Sequence, residues 1–344
     1  MSKPGIAITI GDFNGIGPEI TLKSIASPQV QKYCQPLLVG PLDVFQWHAK
    51  RLKIKLNLQP FKSPLSETDG RAIPVVNLGI FHSRDVQIGR VSPIAGTAAG
   101  LALHKGAELC LQREVAALVT APISKSALSL AGYSYPGQTE LLAELTESDH
   151  VTMMLVSKEL RIGLVTVHVP LRDVAASLSI ERVFGTITVV NHSLTRDFGI
   201  RKPKVAVLAL NPHGGESGLF GREDEDLVKP AIELAKTQHV QVEGPFSSDA
   251  FFGNHQHEEF HAVVAMYHDQ GLIPLKLISF GKAVNFSAGL KIVRTSPDHG
   301  TAFDIAGKGR ANPSSMIQAI RLAIEIGGRR RAEALKTGRV SRRR

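Results

Sequence analysis

The chain reads as an α/β protein of two domains, each a mostly parallel sheet covered by helices. Three observations predict this. Strand-length apolar runs rich in Val, Leu and Ile recur along the sequence and are hydrophobic on both faces, as buried parallel strands are. Helix-period patterns lie between several of them, the alternation of a sheet clothed in helices. At 344 residues the chain exceeds what one core ordinarily organises, so two domains are expected.

The first expected strand is GIAITI (5–10). It runs into "GDFNGIGPEI", whose glycines are Gly11, Gly15 and Gly17. That spacing is not GxGxxG, and no acidic residue sits cleanly about 20 residues on, so a Rossmann fingerprint is absent. A tight turn needing unusual dihedrals and a loop beside a cofactor both remain open. Pro18 and Glu19 open a helix, with Pro in its first turn and an acid at the positive end of the dipole.

Further strands are expected at 36–40, 72–78, 116–122, 151–157, 162–170, 204–212 and 262–268. Helical patterns cover 95–112, 138–146, 181–197, 223–238 and 313–327. Pro230 falls inside one of them, so that helix kinks there or starts later. Domain boundaries are expected near 135–140, "GYSYPGQTE", and near 279–288, "SFGKAVNFSA", where turn residues gather.

Composition excludes several classes. Hydrophobic residues make up 43% and the mean hydropathy is +0.02, which fits a water-soluble globular chain. Aromatics at 6% are too few for single-strand stacking platforms. Cys34 and Cys110 form no CxxC, which suits a reducing compartment. The N-terminus meets Asp12 after a short apolar run, so no signal peptide is expected. No segment approaches the roughly 20 apolar residues of a membrane span, and a cytoplasmic location is expected. The net charge is +9, but Arg329–Arg344 holds eight Lys or Arg and one acid, leaving about +2 elsewhere. A solvated, frayed terminus accounts for such a tail, so neither a membrane nor a nucleic acid is an expected partner.

Three expected strands end in histidine followed by turn residues: "LVTVHVP" with His168, "LALNPHGGE" with His213 and "VAMYHDQG" with His268. Ligands bind beyond the carboxyl ends of strands in open parallel sheets. Neutral imidazole is a common transition-metal ligand, and three protein ligands with an open position suit a catalytic metal. From the residues alone, structural histidines remain equally open. A second cluster, "NHQHEEFH" with His255, His257 and His261, is expected to be a solvated loop. Asp269, beside His268, is either a proton acceptor or a carboxylate orienting that histidine.

The most specific stretch is "RTSPDHGTAFDIAGKGRANP", Arg294 to Pro313. It resembles the adenine-loop signature of the isocitrate and isopropylmalate dehydrogenases, carried here by His299, Gly300, Thr301, Ala302, Asp304, Ala306, Gly307, Asn312 and Pro313. Those enzymes bind NAD(P) without a Rossmann fingerprint. With "ITIGDFNGIGPEI", "VTAPISK", "LRIGLVTVHVPLRDV", "LNPHGGE", "AMYHDQGLIPLK" and "VNFSAGLKIVRTSPDHGTAFDIAGKG" added, nearly all of 5–327 resembles the 4-hydroxythreonine-4-phosphate dehydrogenase family of pyridoxal phosphate biosynthesis.

That resemblance implies an isocitrate/isopropylmalate dehydrogenase-like fold of two α/β/α domains with the active site in the cleft between them. Residues 1–137 plus 284–344 would form the cofactor-side domain. Residues 138–283 would carry the metal ligands and the dimer interface. It implies His168, His213 and His268 as ligands of one divalent metal (Zn, Mg or Co), with Gln138, Thr139, Lys276, Asn285 and Arg294 contacting substrate. His299, Gly300, Thr301 and Asn312 would bind NAD or NADP, and Lys276 and Asp269 are the catalytic candidates. It also implies a homodimer with each site at the subunit interface. The reaction would oxidise 4-phosphohydroxy-L-threonine to a 2-amino-3-oxo acid, which decarboxylates to 3-amino-2-oxopropyl phosphate.

Two departures from the family bear on substrate. Gln138 stands where the family has His, keeping hydrogen bonding but losing the charged state. Phe13 and Asn14 stand where Pro-Ala is usual. Relatives acting on 4-phospho-threonate or 4-phospho-erythronate therefore remain alternatives. A metal-dependent hydrolase using the same histidines is the rival of another class, and a nucleic-acid binder working through the tail is a third.

Overall fold

In the computed structural model, which describes residues 3–62, 65, 72–279 and 282–341, strand and helix alternate from the first element. The order begins β1 (Gly5–Thr9), α1 (Gly17–Ala26), α2 (Pro28–Tyr33), β2 (Gln35–Gly40), α3 (Leu42–Arg51), β3 (Leu58–Pro60) and β4 (Ile73–Asn77). It continues with α4 (Pro93–Leu111), β5 (Ala117–Thr120), α5 (Lys125–Leu130), α6 (Gln138–Leu145), β6 (Thr152–Val156), β7 (Arg161–Leu164) and α7 (Ile180–Arg196). Then come β8 (Lys204–Leu208), α8 (Lys229–Thr237), β9 (Gln241–Phe246), α9 (Ser248–Gly253), β10 (Ala262–Ala265) and α10 (His268–Ser279). β11 (Val284–Ala288), β12 (Arg294–Pro297) and α11 (Ser314–Ser341) complete it.

The chain divides into two units, Met1–Ser148 with Leu290–Arg344, and Asp149–Gly289. In the first, the strand order is β3-β4-β2-β1-β5-β12, and every pairing is parallel. β1 is buried throughout. Its Ile6 and Ile8 have no exposed surface, and burying such a side chain stabilises by about 1.5–3 kcal/mol. In the second unit the order is β11-β6-β7-β10-β8-β9. β11 and β7 each flank β6 antiparallel, whereas β7, β10, β8 and β9 run parallel. Its core joins Ile162, Leu164, Leu208, Val263 and Leu272 around Phe251. The α/β class and mostly parallel sheets agree with expectation.

Several details differ from the sequence reading. α6, expected to open the second domain at 138, packs on α4 in the first unit. β11, expected in the first domain from 284, pairs with β6 in the second unit. β3, β9, β11 and β12 were not expected as strands. Their buried apolar runs are short: β9 buries only Val242 fully, and β12 is the mixed sequence RTSP. Pro230 lies in the first turn of α8, directly after a π-helical turn at Asp224–Val228, so the expected helix widens just ahead of the proline. The basic tail does not begin frayed: α11 continues to Ser341, and residues 329–336 (RRRAEALK) are all good helix formers. Arg342, Arg343 and Arg344 of that tail, and 280–281 of the expected boundary, lie outside the described residues. Among the described residues no helix is long and apolar enough to cross a membrane.

Candidate active site

The three strand-end histidines belong to neighbouring parallel strands of the second unit. β10 pairs with β7 on one side and β8 on the other. His168 follows β7, His213 follows β8 and His268 follows β10, so all three leave the carboxyl edge of one sheet. The pairing continues past the strands: Val165 N–H donates to the Ala265 carbonyl (2.9 Å) and Thr166 N–H to that of Met266 (3.1 Å). The Thr166 hydroxyl adds a 2.7 Å bond to the same Met266 carbonyl. This continuation brings the rings of His168 and His268 to 5.8 Å, inclined by 38°.

His268 is not the last residue of a strand, as the sequence suggested. β10 ends at Ala265, and His268 opens α10. The chain turns because buried Gln270 reaches back. Its Oε1 accepts from Met266 N–H at 2.6 Å, and its Nε2 donates to the Ala209 carbonyl (2.6 Å) and to Ser248 Oγ (2.8 Å). Gln270 thus ties the end of β10 to the end of β8. Asp269 Oδ1 lies 2.7 Å from His268 Nδ1. That contact occupies Nδ1, so Nε2 is the ring nitrogen turned away from Asp269. Lys276 is exposed in the last turn of α10. Asn285, on β11, keeps its side-chain oxygen buried with no hydrogen-bond partner among the described residues.

His213 sits in an unusual loop. From His213 to Ser217 five consecutive residues have positive φ, and three of them, His213, Glu216 and Ser217, are not glycine. Each such residue costs of order 1–3 kcal/mol and persists only where its surroundings over-determine it. Just before this run the chain is held by two carboxylates. Buried Asp224 accepts from Leu210 N–H (2.7 Å) and Asn211 N–H (3.0 Å), and Glu223 accepts from the Asn211 amide (2.8 Å). Neither Gln270 nor Asp224 was singled out in the sequence. An acid inside a helical pattern and a polar residue after a strand carry no local mark of these roles.

In the first unit, Arg294 is buried with 2% exposure. Its Nε and Nη2 both donate to Thr120 Oγ1 (3.0 and 2.8 Å), and Nη1 reaches Thr139 Oγ1 at 3.5 Å. Burial pulls its pKa down to about 10, with Glu140 acting in the opposite sense, so the guanidinium stays charged at neutral pH. Gln138, the first residue of α6, donates to the Ala121 carbonyl at 3.4 Å. Its Oε1 is buried without a partner among the described residues.

The glycine-rich loop after β1 packs directly on the adenine-loop stretch. Ile16 N–H donates to the Thr301 carbonyl at 2.9 Å, and a Cβ at Gly15 would sit 2.8 Å from that oxygen. Gly11 has φ +68°, and a Cβ there would clash with the Pro122 carbonyl. Glu19 Oε1 accepts from Ala311 N–H (2.8 Å) and from Lys23 (2.8 Å), while Lys23 donates to the carbonyls of Gly309 and Ala311. The two turns of the loop at Gly307 and Gly309 are left-handed. His299 and Gly300 are exposed, and Asn312 Oδ1 receives Ser314 N–H at 3.0 Å.

The Phe13–Asn14 departure has a structural account. Phe13 is fully buried and its carbonyl lies 2.9 Å from His48 Nε2. Burial pulls His48 down to about 4, so it is neutral and donates. The Asn14 side chain accepts from Gln87 N–H (2.7 Å) and donates to the Arg90 carbonyl (3.0 Å). Both side chains are spent on packing within the unit. Asp12 beside them is buried, with one carboxylate oxygen unpartnered among the described residues; burial pushes it up to about 6.

Comparison with known proteins bears on nearly the whole chain. A family model described as pyridoxal phosphate biosynthetic protein PdxA matches residues 32–323. The chain is 45% identical to a 4-hydroxythreonine-4-phosphate dehydrogenase of Trichlorobacter lovleyi over 95% of its own length and 99% of that protein. It is 39% identical to a D-threonate 4-phosphate dehydrogenase of Cupriavidus necator over 95% of its own length and 98% of that protein. Among solved structures, a 4-hydroxythreonine-4-phosphate dehydrogenase of Klebsiella pneumoniae superposes with a TM-score of 0.87 at 38% identity, covering 94% of this chain and 98% of that one.

Proposed function

The chain belongs to the PdxA family of pyridoxal phosphate biosynthetic proteins, and we propose from that premise that it oxidises 4-phosphohydroxy-L-threonine with NAD(P) in a divalent-metal-dependent reaction. The product is a 2-amino-3-oxo acid that decarboxylates to 3-amino-2-oxopropyl phosphate. The observation that carries the reading is the pairing of His168 with His268 across adjacent strand ends, with Asp269 on the far nitrogen of His268.

In this reading His168, His213 and His268 hold the cation. A donor set of three imidazoles fits Zn²⁺ or Co²⁺ better than Mg²⁺, which favours oxygen ligands. The bound cation supplies Lewis acidity toward a substrate hydroxyl, and the nicotinamide supplies the hydride acceptor. Asp269 orients His268. Lys276 then remains as the proton acceptor. Arg294, pre-set by Thr120, offers its fork to the substrate's carboxylate or phosphate. The buried oxygens of Gln138 and Asn285 are acceptors that an ammonium or hydroxyl of substrate can satisfy. His299, Gly300, Thr301 and Asn312 form the cofactor's adenine side, on a loop braced by Glu19 and Lys23.

The same reading makes the protein a homodimer with each active site at the subunit interface. Leu171, Leu219, Phe220, Ile273 and Leu277 of the second unit are exposed, and large apolar side chains left on a surface are what a partner subunit would cover.

A second reading is favoured by one residue. Gln138 replaces the family's histidine and cannot carry charge, and the Cupriavidus necator relative acts on D-threonate 4-phosphate by its name. NADH formation with 4-phosphohydroxythreonine, 4-phosphothreonate and 4-phosphoerythronate decides between them. The proposal expects the highest kcat/KM for the amino acid. A ten-fold or greater preference for either sugar acid would assign the enzyme to that substrate instead, and turnover without NAD would point to hydrolysis.

A further inference from the structure

The loop between α9 and β10 was expected to be solvated, but His257 is only 7% exposed. Its Nδ1 is buried with no hydrogen-bond partner among the described residues, an arrangement that costs about 1–3 kcal/mol unless something satisfies the nitrogen. The ring is held against Phe252, with centroids 5.7 Å apart. His255, at φ +57°, turns its ring to 5.9 Å from that of His257 at 38°. His168 and His268 stand at 5.8 Å and the same 38°. Glu258 Oε1 lies 3.6 Å from His255 Nδ1. One ligand atom from each of His255, His257 and Glu258 lies within 4.8 Å of the others. His261, the third histidine of the stretch, is engaged elsewhere, accepting Lys204 N–H at 2.9 Å.

We propose that His255, His257 and Glu258 form a second divalent-metal site, separate from the strand-end histidines, that takes a borderline transition metal such as Zn²⁺. Two imidazoles and a carboxylate are a three-ligand set that zinc accepts, with water completing the tetrahedron. Bonds of about 2.0–2.2 Å at tetrahedral angles place ligand atoms roughly 3.3 Å apart. The His255–Glu258 pair already approaches this, and both side chains are exposed and free to close the rest. The position also separates the two sites: this loop enters β10 at its amino end, whereas His268 follows the carboxyl end. A cation here clamps the α9–β10 loop on itself without reaching the chemistry. The inference does not depend on the proposed reaction.

The test is Zn²⁺ stoichiometry by equilibrium dialysis on the full-length protein. Wild type should bind two equivalents per chain and His168→Ala/His268→Ala one. His255→Ala and Glu258→Ala change exposed positions, so folding should survive. Each should weaken one equivalent about ten-fold or more while NADH formation stays unchanged. His257→Ala should abolish that equivalent. If the strand-end reading alone fails, wild type binds one equivalent that His168→Ala/His268→Ala retains and Glu258→Ala weakens. Zn²⁺ affinity and stoichiometry unaltered by both His255→Ala and Glu258→Ala overturn the second site.

Discussion

His168 and His268 face one another at 5.8 Å although a hundred residues of chain separate them, because β7 and β10 are paired and stay hydrogen-bonded past their ends. The bond from the Thr166 hydroxyl to the Met266 carbonyl is part of that continuation. The geometry assigns distinct duties to neighbouring residues, and each can be separated by measurement.

Asp269→Asn distinguishes orientation from proton transfer. With Asp269 orienting His268, the variant should bind Zn²⁺ or Co²⁺ about 10–100-fold more weakly and recover activity at high metal. Unchanged metal affinity with lost kcat would instead identify Asp269 as the base.

Arg294→Lys should raise KM for the phosphorylated substrate. Lysine cannot reproduce a planar fork seated on Thr120. Charge-assisted hydrogen bonds contribute about 1.5–3 kcal/mol, so the rise should be about ten-fold or more, read from steady-state kinetics. An unaltered KM would remove Arg294 from the substrate contacts.

Glu19→Ala removes the acceptor of the Ala311 N–H and the partner of Lys23. Leaving such a donor buried costs about 1–3 kcal/mol. Thermal melts should show the loss, and KM for NAD should rise more than kcat falls. A lowered melting temperature with KM for NAD unchanged would separate the 307–311 loop from cofactor binding.

Asp12 gives a pH signature. Its pKa lies near 6 in the folded protein against an ordinary 3.8, so the native state holds a proton that the unfolded chain releases. Its contribution to stability is complete below about pH 4 and is lost as pH rises through 6. Asp12→Asn keeps the acceptor for Asn14 N–H and cannot ionise. Urea melts should find it more stable than wild type at pH 8, by up to about 3 kcal/mol, with the gap closing toward pH 4. A gap independent of pH would contradict a buried, protonatable Asp12.

Much of this architecture was legible in the sequence, and the residues show why some was not. The long Val/Leu/Ile runs of β1, β2, β8 and β10 announce parallel strands because both faces are buried. β12, RTSP, does not, since Arg294 is buried through its hydrogen bonds rather than its hydrophobicity. The strand-end histidines were visible as a pattern of turns. The left-handed run at His213–Ser217 and the hold of Asp224 on Leu210 and Asn211 just before it were not, because that hold comes from a carboxylate thirteen positions after Asn211. The stretch 255–261 misled for a related reason: hydrophilic residues suggested solvent, while Phe252 buries the ring of His257. The tail's charge suggested fraying, yet residues 329–336 are good helix formers and α11 continues through them.

The most direct test of the central claim compares wild type with His268→Ala for bound divalent metal and for NADH formation from 4-phosphohydroxythreonine. The second equivalent at His255, His257 and Glu258 is removed beforehand with His257→Ala in both proteins. The account predicts one equivalent and activity in the first, and neither in the second. Full NADH formation by metal-free His268→Ala protein would contradict it.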